Sequence, residues 1–219
     1  MKPRILPLGD SALLVQLGDQ IDLEINQRIH TLDALLCADE LNGIIECVPA
    51  YATLLIHYDP LTLSYAQVSE WVNSKLDQVG SNTTRRPRRM EIPVRYGGAS
   101  GPDLEWVAEY HHVSVPEIVH LHTDQTYTVY MMGFTPGFPY MGKLHLSLVT
   151  PRLDTPRTLV RAGTVGIAGA QTGIYPIDSP GGWRLIGWTP LHPFDPSGTL
   201  PFLFRPGDEV HFTVEAIDA

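Results

Sequence analysis

At 219 residues and 43% hydrophobic content, the chain is long enough for one large domain or two small ones, and a change of character near residue 80 points to two. A formal net charge of −9 argues against a nucleic-acid binder, which needs basic surface to displace counterions from phosphates, and favours a small-molecule or protein partner. The two cysteines, Cys37 and Cys47, are too few for a disulfide framework and lack zinc-ligand spacing, so both are expected as buried apolar residues in a reducing compartment.

The amino-terminal segment carries Lys2 and Arg4 but is broken by Pro3 and Pro7 and lacks the apolar run of a secretory signal, and no stretch reaches the ~18 apolar residues of a membrane span. A cytoplasmic protein without a membrane partner is expected. Residues 12–17 alternate as a half-buried strand between Gly9-Asp10 and Gly18-Asp19. From Asp22 onward, Leu23, Ile25, Ile29, Leu32, Leu35 and Leu36 recur at helical spacing, with Asn42-Gly43 placed as a stop. Residues 44–48 and 53–58 suit adjacent strands, and Tyr65, Val68, Trp71, Val72 and Leu76 mark a second helix. This order predicts a small α+β sandwich over residues 1–80, with helices on one face of an antiparallel sheet.

Residues 81–90 turn polar and basic, with four arginines, Arg85, Arg86, Arg88 and Arg89; they read as a solvated linker, an anion patch or a face for an acidic partner. Residues 91–219 carry 15 of the 19 glycines and many short strands punctuated by proline. That pattern predicts a closed or nearly closed β-barrel, with helices near 103–111 and 115–122. The run 200–212 reads as strand, tight turn, strand. The fold class is therefore α+β with a carboxyl-terminal barrel.

The densest unusual stretch is 133–142, where Phe134, Phe138 and Tyr140 are held close together by two prolines and three glycines. Such a loop can wall a ligand pocket, making Phe138 and Tyr140 substrate-binding candidates, or plug one end of the barrel with its rings. Gly137, then Gly142-Lys143, falls short of a phosphate-binding loop, because Leu144 stands where Ser or Thr would bind magnesium. Pro151-Arg152 and Pro156-Arg157 place two guanidinium forks in a constrained segment, suited to a carboxylate or phosphate or to surface ion pairs.

The glycines of 163–173 lack the order of a dinucleotide fingerprint; in a strand they permit bulges and close approach of a ligand or another backbone. Gln171 and Tyr175 are then candidates for orienting a polar substrate, and the turn at Ser179-Pro180-Gly181-Gly182-Trp183 presents a hydroxyl. His122 is the candidate lone acid or base, with a satisfied structural histidine as the alternative. The nine histidines form no metal constellation, so no metal site is expected.

Residues 133–140, with Pro151-Arg152, Pro156-Arg157, residues 163–171, Tyr175-Pro176 and Ser179-Pro180-Gly181-Gly182-Trp183, carry a specific likeness. Gly9-Asp10-Ser11-Ala12, Tyr96-Gly97-Gly98-x-x-Gly101-Pro102-Asp103-Leu104 and residues 203–208 extend it along nearly the whole chain. The sequence resembles the family shared by the B subunit of 5-oxoprolinase, the kinase inhibitor KipI and allophanate hydrolase subunit 1. The resemblance implies a cyclophilin-like barrel beside a small α+β domain. It also implies a three-component enzyme, in which this chain joins a homologous C component and an A component to convert a lactam, 5-oxoproline, to glutamate with ATP and Mg2+. A kinase-inhibitor role or a part in an allophanate- or urea-degrading system are the alternatives it allows.

Overall fold

In the computed structural model, which describes residues 2–79 and 87–218, the chain divides into two units, Met1–Arg86 and Pro87–Ala219. Residues 80–86, which hold most of the expected linker and Arg85 and Arg86, lie outside the described residues.

The first unit runs β1 (Arg4–Pro7), β2 (Ala12–Gln16), α1 (Leu23–Ala38), β3 (Ile44–Pro49), β4 (Thr53–Tyr58) and α2 (Tyr65–Leu76). Its antiparallel sheet has the order β1-β2-β4-β3. β1 was not foreseen, because Pro3 and Pro7 bracket it; an edge strand tolerates proline where a central one does not. Alternation sends Leu13, Val15, Leu54 and Ile56 into one core with Ile29, Leu32 and Leu36 of α1 and Val68 and Val72 of α2. Asp22 caps α1 by accepting from the Ile25 N–H at 3.1 Å, and Ser64 with Gln67 forms a capping box on α2. α1 ends at Ala38, before the expected Asn42-Gly43 stop; Gly43, at φ +102°, turns the chain into β3 instead.

The second unit runs β5 (Arg89–Gly97), α3 (Leu104–His111), α4 (Val115–Thr123), β6 (Thr126–Met132), β7 (Pro139–Gly142) and a 3-10 turn (Leu146–Leu148). It continues through β8 (Arg157–Val160), β9 (Thr164–Ala168), β10 (Gln171–Ile174), β11 (Ser179–Gly181), β12 (Arg184–Trp188) and β13 (Glu209–Asp218). Seven strands close in the order β10-β7-β6-β13-β5-β12-β9, with β5 and β13 parallel, while β8 and β11 form a separate pair. Closure leaves the barrel without an unpaired edge. The core takes Ile92, Val94, Tyr127, Val129, Met141, Ile167, Ile186 and Phe212 from the strands, and Val107 and Ile118 from α3 and α4.

Three expectations are corrected. Residues 200–208 form no strand: Phe202 makes one isolated bridge to Phe194, and the Leu203 N–H is taken by the Pro193 carbonyl. Only β13 survives from the expected pair. Cys37 is exposed, because it lies off the apolar face of α1, and Cys47 is half-buried, packed against the core from the edge strand β3. Arg88 and Arg89 belong to the barrel unit; Arg88 pairs with the buried Asp208 carboxylate and Arg89 with Glu209 at 2.8 Å, so these two guanidiniums are committed within the unit.

Candidate functional site

Phe138 stands at the centre of an aromatic shelf on the outer side of the barrel strands. Tyr140, Tyr175 and Trp183 meet it edge to face, with ring centroids at 4.9, 5.2 and 5.3 Å, the arrangement that ring quadrupoles favour. Two glycines make room. A Cβ on Gly173 would lie 2.8 Å from the Phe138 ring, and one on Gly181 would collide with Tyr175. The glycine-rich strands thus admit the chain's own aromatics, one of the close approaches the sequence allowed. Phe134 extends the shelf outward: it meets Phe138 at 5.7 Å, is 63% exposed and adopts φ +64°, a left-handed conformation that a bulky residue rarely takes.

Arg152 lies 6.0 Å from the Trp183 ring centroid, within cation–π reach. Burial pushes the Tyr140 and Tyr175 phenols above the usual tyrosine value; Arg152 pulls both back part-way, as the Trp183 backbone N–H does for Tyr175. Both phenols therefore stay protonated at neutral pH and serve as hydrogen-bond donors rather than bases. The Ser179 hydroxyl oxygen, on β11, is buried without a partner among the described residues, a state that ordinarily costs about 1–3 kcal/mol.

Arg157 projects from β8 and donates to the Asp103 carboxylate at 2.7 Å, and the same carboxylate accepts from the Leu185 N–H at 2.6 Å. Asp103 is thereby drawn away from capping α3, whose first turn has no side-chain cap. Arg157 also lines a cavity of about 390 Å³ with Arg95, Arg161 and Trp188.

Phe138, Tyr140, Arg152, Tyr175 and Trp183 are thus assembled on one shelf. Arg157, close enough for its charge to reach the Tyr175 phenol, and Ser179, in the strand paired with β8, flank it. Gln171 is placed apart, at the far end of β10 from Tyr175. His122 is also apart, inside the barrel, with Nδ1 2.8 Å from the Tyr96 hydroxyl and Nε2 3.0 Å from the Thr172 hydroxyl. Thr172 donates onward to the Gly166 carbonyl, so it accepts from Nε2–H, and the Tyr96 hydroxyl donates to Nδ1. Complete burial lowers the imidazole to about 3 and holds it neutral, as suits a satisfied core histidine. Sequence reasoning passed over Arg95 and Arg161; the alternation of Arg157, Leu159 and Arg161 was the available signal for the second.

The carboxyltransferase domain, subdomain C and D family matches residues 3–204. The 5-oxoprolinase B subunit of Bacillus subtilis is 42% identical over 95% of this chain and 91% of its own. The chain belongs to the family of 5-oxoprolinase B subunits. Among solved structures, TTHA0988 superposes with a TM-score of 0.82 at 38% identity, covering 93% of this chain but only 39% of that one. The K. lactis urea amidolyase, at 19% identity and a TM-score of 0.81, covers 98% of this chain and 15% of its own, and shares the fold. No helix among the described residues is long and apolar enough to cross a membrane.

Proposed function

We propose that this protein is the B component of an ATP-dependent 5-oxoprolinase, acting in the cytoplasm with a homologous C component and an A component to open 5-oxo-L-proline to L-glutamate. The near-full-length likeness to the B subunit of a 5-oxoprolinase supports the reading most directly. Its need for companions is supported by the names of its relatives in Bacillus subtilis and Haemophilus influenzae, each a subunit of 5-oxoprolinase.

A five-membered lactam is a poor electrophile, so phosphorylation of its carbonyl oxygen supplies a leaving group before water opens the ring. The chemistry calls for a cation to hold the substrate carboxylate and donors for the developing oxyanion. On the shelf Arg152 is the cation, the Tyr140 and Tyr175 hydroxyls and the Ser179 hydroxyl are the donors, and Phe138 sets the rings in place. Gln171 and His122 take no direct part in this arrangement.

The chain's near miss for a phosphate loop does not fit a nucleotide. The Gly133, Thr135 and Phe138 amides are bonded within their loop, and residues 139–142 are laddered to β6 and β10. No nucleotide step is therefore assigned to these residues, and ATP and Mg2+ belong to the assembled complex. Co-expression of the tagged chain with neighbouring genes for the A and C components tests the proposal. We expect co-purification, and we expect Arg152→Ala to lower kcat/KM for 5-oxoproline by about 100-fold while still co-purifying. Wild-type turnover by a folded Arg152→Ala, Tyr140→Phe double variant would remove the shelf from the site.

A further inference from the structure

Along β8 and just beyond it, Arg157, Leu159 and Arg161 alternate, and all three line the cavity of about 390 Å³, whose other walls include Arg95 of β5, Thr164 of β9 and Trp188 of β12. That volume falls within the range of small-ligand pockets, about 300–1,000 Å³. Two of its three guanidiniums are compensated: Arg157 by Asp103 at 2.7 Å and Arg95 by Asp218 at 3.3 Å. Arg161 has no ion-pair partner among the described residues, so the lining carries one net positive charge. The Nη1 of Arg157 is buried without an acceptor among the described residues, an unmet donor on a side chain that lines the cavity. The Trp188 indole N–H is already donated to the Ala162 carbonyl at 2.8 Å, so this residue offers an incoming ligand its ring. Leu159, 60% exposed, adds apolar surface.

We propose that this cavity binds a small monocarboxylate carried on a compact apolar ring, with the carboxylate taken by Arg157 and Arg161 and the ring lying against Leu159 and Trp188. One net positive charge matches one carboxylate, and an arginine fork holds a carboxylate through paired N–H donors. A nucleoside triphosphate would bring several uncompensated negative charges to the same lining. The site stands on the cavity alone and does not depend on the proposed part in 5-oxoprolinase. 5-Oxo-L-proline, a monocarboxylate on a polar lactam ring whose carboxylate the proposed enzyme role gives to Arg152, is the probe that separates the two sites.

Calorimetric titration of the full chain with cyclopentanecarboxylate, 5-oxo-L-proline and the neutral cyclopentanecarboxamide tests the site. We expect saturable binding of cyclopentanecarboxylate, with the amide weaker by about tenfold or more. Arg161→Gln should weaken carboxylate binding by about tenfold, whereas Arg89→Gln, on the exposed surface, should stay within about twofold. Absence of saturable carboxylate binding overturns the proposal, as does equal binding of acid and amide, or unchanged affinity in a folded Arg161→Gln chain. Binding of cyclopentanecarboxylate without 5-oxo-L-proline supports the site and removes the lactam as its ligand. Conversely, loss of the site leaves the proposed enzyme role standing, since that is read from turnover by the assembled complex.

Discussion

Within the first unit, Leu13, Val15, Leu32, Leu54 and Val72 meet in an apolar seam, and Asn26 is the one polar residue buried among its described residues, with its amide given to the Ala50 and Tyr51 carbonyls. The barrel unit instead buries Asp103, His122, Thr172, Ser179 and Asp208 among others, and leaves Thr135, Ser179 and part of Arg157 without partners among the described residues, against Ser69 in the first unit. The first unit resembles a scaffold whose local preferences largely agree, whereas the barrel buries many more polar groups than stability alone requires. Buried polar residues are thus concentrated in the barrel unit, and two of its unpartnered groups, on Ser179 and Arg157, lie beside the shelf.

The contrast between the units breaks most severely if the buried charges of the barrel are dispensable. Arg88→Ala leaves the Asp208 carboxylate, 1% exposed, with the Arg205 N–H but without its cation, and should destabilise the barrel by about 3–5 kcal/mol in denaturant unfolding. Leu32→Ala, fully buried in the first unit, should cost about 2–5 kcal/mol there through lost burial and a cavity. A barrel-localised probe should be insensitive to it. Gly173→Ala forces a methyl against the Phe138 ring and should cost about 1–3 kcal/mol, with a changed near-UV spectrum reporting the displaced aromatics.

His122 sharpens the contrast through pH. Its folded pKa is depressed to about 3 from an ordinary 6.5, so below pH 6.5 the unfolded imidazole takes a proton that the folded one refuses. Stability should be fully present above about pH 6.5 and decline on acidification toward about pH 3, with a limiting slope near 1.4 kcal/mol per pH unit from this group. His122→Gln should lose that component between about pH 6.5 and 5, measured as the difference between the two chains' denaturation midpoints. At the small end, Arg89→Ala removes an ion pair whose arginine is 86% exposed, and should change stability by less than about 1 kcal/mol.

Much of the first unit was legible because each element carries its own signal: apolar spacing on α1 and α2, and strands of β-branched and aliphatic residues. The barrel was legible as a class through its glycines and short strands, yet residues 200–208 misled, since an apolar run with proline reads alike whether it pairs in a sheet or folds over as a loop. Cys37 misled because residue type alone does not say which face of an element it occupies, and Cys47, although packed against the core, is left half-buried by its edge strand. For the site, sequence drew attention to Phe138, Tyr140, Arg152 and Tyr175 through their rigid surroundings. It offered no means of seeing that His122 turns inward to Tyr96 and Thr172, or that Arg95 joins Arg157, because those meetings depend on barrel closure.

The most direct test is ATP-dependent release of glutamate from 5-oxoproline by the reconstituted enzyme, with this chain present and omitted. Turnover that vanishes on omission and returns when the purified chain is added back is the predicted result. Full turnover in its absence would contradict the assignment of this protein as an obligatory component of the enzyme.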